Sequence, residues 1–134
     1  MGQQQLLLLI LAAVIVGVAI TLGINMFAQN SAQANQEAVM QDVLTIASRA
    51  QAWYRRPVQM GGGGRDWTAG GGVTLADLNF PATNANGNYS FVTVTDDELT
   101  IEGEGFESGD GDPDLLTITA VISPDSVRTM TIDP

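Results

Sequence analysis

With fifteen Asp and Glu against five Arg, and with no Lys, His or Cys in 134 residues, the chain carries a formal charge of −10. That balance repels phosphate and disfavours nucleic acid and anionic headgroups as partners, while the missing imidazole and thiol exclude His- and Cys-based catalysis and Cys/His zinc sites. Beyond the roughly thirty residues of N-terminal apolar sequence only one small domain remains, and no disulfide staples it.

The first element runs apolar from Leu6 to Phe27, broken only by Gly17, Thr21, Gly23 and Asn25. About 22 residues at 1.5 Å each span roughly 33 Å, the thickness of a bilayer's hydrocarbon core. A secretory signal would need a basic start and a shorter apolar stretch, and no Lys or Arg precedes Arg49. A helix apolar all round suits either lipid or the centre of an oligomer. The two environments exchange one set of apolar contacts for another.

From Ala28 to Gln36 the sequence is small, polar and uncharged, without Gly or Pro to stop a helix. It is either a plain spacer or a neck against which neighbouring copies pack. Val39, Val43, Ile46, Ala50 and Trp53 then recur every three or four residues, with Met40, Leu44, Ala47 and Tyr54 widening the same side. This stripe requires a partner surface. Pro57 after two arginines marks the end of a helix expected from about Gln3 to Arg56.

"GGGGRDWTAGGG", Gly61 to Gly72, is a loop by composition. It is expected either to act as a connector or to dock on a neighbouring subunit through Trp67. "TLADLNF" is expected to form a short helical turn with Thr74 as N-cap.

From Asn88 the period becomes two. "NYSFVTVT", "ELTIEGEG", "LLTITAVI" and "VRTMTID" predict four strands, and Asp96-Asp97 and Pro124-Asp125 predict tight turns that make the first and last pairs antiparallel hairpins. The expected fold is α+β: a long N-terminal helix whose C-terminal third covers a four-stranded antiparallel meander. Its expected segments are an apolar helix over 1–27, the neck and sheet-packing face over 28–57, the Gly-rich loop and turn over 58–87, and the sheet over 88–134.

Glu102 and Glu104 share a strand face and are expected to be solvated. Asp110, Asp112 and Asp114 match the alternating carboxylates that open a calcium-binding loop, whereas Leu115 and Val121 stand where such a loop needs glycine and a bidentate acid. The loop is therefore either a Ca²⁺ site or a solvated turn, and otherwise no cofactor is expected. Asn88-Tyr89-Ser90 fits a glycosylation acceptor and equally an ordinary strand.

A short leader ending in glycine, an uncharged apolar helix, its amphipathic continuation, a Gly-rich loop and an antiparallel sheet together resemble the type IV pilin superfamily, including the pseudopilins of type II secretion systems. The resemblance implies a leader boundary between Gly2 and Gln3, which would put Leu7 where the family carries glutamate at the fifth mature position. It implies a filament core built from Leu6, Leu9, Ala13, Val16, Gly17, Ile20, Gly23 and Phe27, and it makes Glu107 a further calcium ligand. The expected function is a non-enzymatic structural subunit of an extracellular helical filament, with a secretion pseudopilin or a single-pass membrane protein bearing a small binding domain as alternatives. Expected partners are further copies of the chain, the inner membrane before assembly, and pilus or secretion assembly machinery. The precursor would lie in the cell membrane and the assembled subunit outside the cell.

Overall fold

A computed structural model describes residues 2–108 and 114–134. Among the described residues it comprises one α-helix, α1 (Gly2–Arg55), two short 3-10 turns at Val58–Met60 and Ala69–Gly71, and four strands, β1 (Gly87–Val94), β2 (Leu99–Gly105), β3 (Thr117–Ile122) and β4 (Val127–Asp133). The strands form a single antiparallel sheet in chain order, β1-β2-β3-β4. The fold is α+β, with α1 packed on β2 and β3.

At 54 residues α1 is roughly 80 Å long, and only its C-terminal part meets the sheet. Val39, Val43, Ile46, Ala50 and Trp53 are buried there, joined by Ala32 and Ala47. Leu44 departs from the expected stripe and lies 42% exposed. It follows Val43 by one residue, about 100° further round the helix, beyond the edge of the sheet it would have to reach.

Strand alternation supplies the opposing surface. Leu99 and Ile101 of β2 and Ile118, Ala120 and Ile122 of β3 point inward and are buried, while Glu102 and Glu104 of β2 occupy the other face. Tyr89 and Phe91 of β1 flank this core on one side, and Met130 and Ile132 of β4 on the other. In β1 the register slips between Phe91 and Thr93. The extra residue, Val92, is turned outward and exposed, so the inward sequence resumes at Val94.

The glycine loop caps the helix. Gly63, Arg65 and Gly64 donate backbone hydrogen bonds to the carbonyls of Trp53, Tyr54 and Arg56, groups that a helix end leaves without intrahelical donors. The loop lies so close that a Cβ at Gly63 would come within 2.5 Å of both the Trp53 ring and the Asp66 carbonyl. Trp67 is fully buried within its own head; its Nε1–H donates to the Ala50 carbonyl at 2.9 Å, and its ring lies 5.0 Å from that of Tyr54. Of the two readings of the loop, this sets aside docking of the ring on a neighbour and leaves the connector. Composition pictures the loop as free chain, but the helix's orphan carbonyls and one indole fix it.

After the loop, Thr74 and Asp77 bond reciprocally, Thr74 N–H and Oγ1 donating to the Asp77 carboxylate and Asp77 N–H donating to Thr74 Oγ1. The segment forms a run of turns that ends at Asn79, whose φ of 54° is left-handed.

Candidate functional site: an exposed apolar helix on a folded head

Among the described residues, the N-terminal part of α1 packs against nothing outside the helix. Leu6, Leu9, Val16, Ile20 and Phe27 are all more than half exposed, Phe27 at 74%. Ala13, Gly17 and Gly23 are exposed with them, and a Cβ at either glycine would meet only open space. This is the one described helix long and apolar enough to cross a membrane; it lies near the N-terminus, and none of its most apolar stretch is buried. The first buried residue is Ala32.

The few polar groups in this segment are handled in two ways. Thr21 Oγ1 donates to the Gly17 carbonyl at 3.0 Å, so its hydroxyl is satisfied inside the helix and costs little in an apolar surrounding. Asn25 makes no side-chain hydrogen bond among the described residues. An amide in that position is free to bond to a neighbouring helix.

The neck is divided. Ala28, Gln29 and Asn30 are exposed, but Asn35 already belongs to the head. Its Nδ2 donates to the Asn86 carbonyl at 2.7 Å, and its Oδ1 accepts from the backbone N–H groups of Phe106 and Glu107. Gly105 makes room for that side chain.

No protein-family model, curated protein or solved structure matches this chain. The site therefore rests on its own geometry.

Nearly two turns beyond the neck, Asp42 gathers the loop before β1. Its Oδ2 accepts from Asn84 at 3.0 Å, from Asn86 at 2.9 Å and from the Tyr89 hydroxyl. Partial burial opposes ionisation of Asp42, but the hydrogen bonds from Tyr89, Asn86 and Asn84 outweigh it and hold the carboxyl below its usual value. Desolvation first, and the neighbouring Asp42 second, push the Tyr89 phenol well above its own. This network fixes the end of the head from which the exposed helix emerges. The sequence signal was weak: a lone Asp flanking an apolar stripe ordinarily faces water.

Of the candidate calcium ligands, Asp110 and Asp112 lie outside the described residues, while Asp114 and Glu107 are exposed. Among the described residues no group of three His, Cys, Asp or Glu is arranged to hold a metal. Glu102 pairs with Ser90 and Thr119, and Glu104 with Asn88 and Thr117, on the sheet face away from the helix. Asn88 is exposed on edge strand β1. The residues Leu6 to Phe27 form a continuous surface; the candidate polar sites do not converge on it.

Proposed function

We propose that this chain is a structural subunit of an extracellular, type IV pilus-like helical filament, with the Leu6–Phe27 helices of many copies forming the core and the heads forming the outer layer. The observation that carries this reading is the division of α1. Its Val39–Trp53 stripe is covered by its own sheet, while the preceding apolar segment has no partner among the described residues and is too large to leave in water. A stored subunit can keep that segment in lipid and an assembled one can pack it against other copies. Neither state exposes it to water. Repetition of one head-to-tail contact produces an open helix rather than a closed ring.

The uncharged residues Ala28 to Asn30 and the unengaged Asn25 amide support assembly over solitary anchoring, since they let helices approach without like-charge repulsion and offer hydrogen bonds between them. Val16→Asp tests the reading. A central Asp costs about 2.5 to 3.5 kcal/mol on insertion into lipid and is equally unpaired in a packed core. Sheared surface material at the 14.1 kDa subunit mass should vanish in this variant. Normal yield would overturn the proposal.

A further inference from the structure

Two adjacent residues at the start of β1 answer to different demands. Gly87 pairs with Gly105 of β2, and a Cβ at position 87 would collide with the Glu104 carbonyl oxygen, so no side chain fits there. Asn86 is set by its hydrogen bonds. Its Nδ2 donates to Asp42 Oδ2 at 2.9 Å, its backbone N–H donates to Asn84 Oδ1 at 2.8 Å, and its carbonyl accepts from Asn35 Nδ2 at 2.7 Å. Together the two demands produce Asn-Gly, the dipeptide in which an asparagine amide is most labile.

Glycine has no side chain to hinder its backbone nitrogen. In a chain free to move, the Gly87 nitrogen attacks Asn86 Cγ and closes a five-membered succinimide. The Cγ–Nδ2 bond breaks, and Nδ2 departs as ammonia with the proton that the Gly87 nitrogen sheds through water. Water then adds to one imide carbonyl. Breaking the ring at Cγ leaves aspartate at position 86; breaking it at the main-chain carbonyl leaves isoaspartate, whose main chain runs through the former side chain and gains a methylene.

The folded head engages each group this reaction uses. The Gly87 N–H, the nucleophile, donates to Asn84 Oδ1 at 3.1 Å, and the Gly87 carbonyl accepts from the Asn84 N–H at 3.0 Å. The leaving amide is held by Asp42. Gly87 is buried and Asn86 half-buried. Ring closure turns the Asn86 side chain onto the Gly87 nitrogen, away from Asp42, and takes that nitrogen's hydrogen from Asn84.

The product does not fit the place it leaves. A carboxylate at position 86 has no N–H to give Asp42 and repels it. The extra methylene of isoaspartate displaces the carbonyl that Asn35 holds, and Asn35 also accepts from the N–H groups of Phe106 and Glu107. The change is one-way and acts where α1 leaves the head.

We propose that Asn86 is a latent deamidation site: Asn84 and Asp42 hold it as an amide while this end of the head is closed, and opening of their network commits it to aspartate or isoaspartate. The site belongs to the head and operates whether or not the chain assembles.

The test incubates the full chain in detergent at mildly alkaline pH and follows position 86 by peptide mass spectrometry, with electron-transfer fragmentation separating isoaspartate from aspartate. In denaturant Asn86 should deamidate faster than Asn79, Asn84 and Asn88, which precede Phe80, Ala85 and Tyr89. In the folded wild type it should react at least about tenfold more slowly than in denaturant. Asn84→Ala, which frees the nucleophile, and Asp42→Ala, which frees the leaving amide, should each accelerate it about tenfold over folded wild type. Should Asp42→Ala lack a cooperative unfolding transition, Tyr89→Phe takes its place with a smaller rise, since it removes one donor to Asp42 and keeps the ring. Ile122→Val, at the far end of the sheet, lowers global stability and should leave the rate at the wild-type value. A folded wild type as fast as the denatured chain, or rates unmoved by the changes at Asn84 and at Asp42 or Tyr89, would overturn the inference. Equal acceleration by Ile122→Val and Asn84→Ala would assign the reaction to global unfolding and overturn the local guard. An Asn86 no faster than the other three in denaturant would remove the site itself.

Discussion

Gly103 of β2 lies directly against Val43 of α1. A Cβ at position 103 would stand 2.9 Å from Val43 Cγ2, 3.0 Å from Val39 Cγ1 and 3.1 Å from Tyr89 Cδ1. Where Leu99 and Ile101 fill the space between helix and sheet further along β2, the absent side chain at 103 allows the helix to touch the strand. Both valines are β-branched and stiff, so they yield little. Gly103→Ala should therefore destabilise the head by about 1 to 3 kcal/mol through overpacking. Thermal unfolding of the detergent-solubilised chain checks this, and an unchanged midpoint would show that the helix seats more loosely than the contacts indicate.

Trp67 anchors the glycine loop to the helix end. Trp67→Ala should cost about 3 to 5 kcal/mol, the range for deleting a large buried aromatic. It should also release the loop, exposing the bond after Arg65 to trypsin much faster than in the wild type. If the cleavage rate at Arg65 does not change, the loop is held by its backbone hydrogen bonds alone.

Asp42 and Tyr89 give stability a dependence on pH at both extremes. The folded-state value of Asp42 lies below its ordinary value near 3.8, so its contribution is present above that pH and is lost as pH falls through the folded value. Tyr89 is shifted upward from about 10, so its contribution is complete below pH 10 and declines as pH rises beyond it. Asp42→Asn should flatten the acid limb of a plot of unfolding midpoint against pH. Asp66, whose carboxyl is also lowered by its bonds to Thr68, leaves part of that limb in place. An acid limb identical to wild type would remove Asp42 from the account.

The parts of this fold legible in the sequence are those governed by periodicity. Val39 to Trp53 repeat at helical spacing and Ile118, Ala120 and Ile122 at strand spacing, because each set faces a single continuous core. Periodicity says nothing about residues fixed by one particular partner. Asp42 looks like a solvated flank until Tyr89, Asn84 and Asn86 converge on it from 42 to 47 residues away. Trp67 sits in a stretch of glycines that resembles an untethered linker, yet it folds back onto Ala50. Val92 breaks the β1 alternation because a bulge inserts it. The exposed helix was legible for the simplest reason: a run without charge needs an apolar surrounding whatever the rest of the chain does.

The central claim is that Leu6 to Phe27 of many copies form one filament core. Electron cryomicroscopy of surface filaments containing this chain tests it directly, through the cross-section. The account predicts a dense axial bundle of helices with Leu6, Val16 and Phe27 facing neighbouring copies, surrounded by a shell of heads with their sheets outward. Filaments with heads at the axis, or a chain recovered from membranes only as a detergent-soluble monomer, would contradict it.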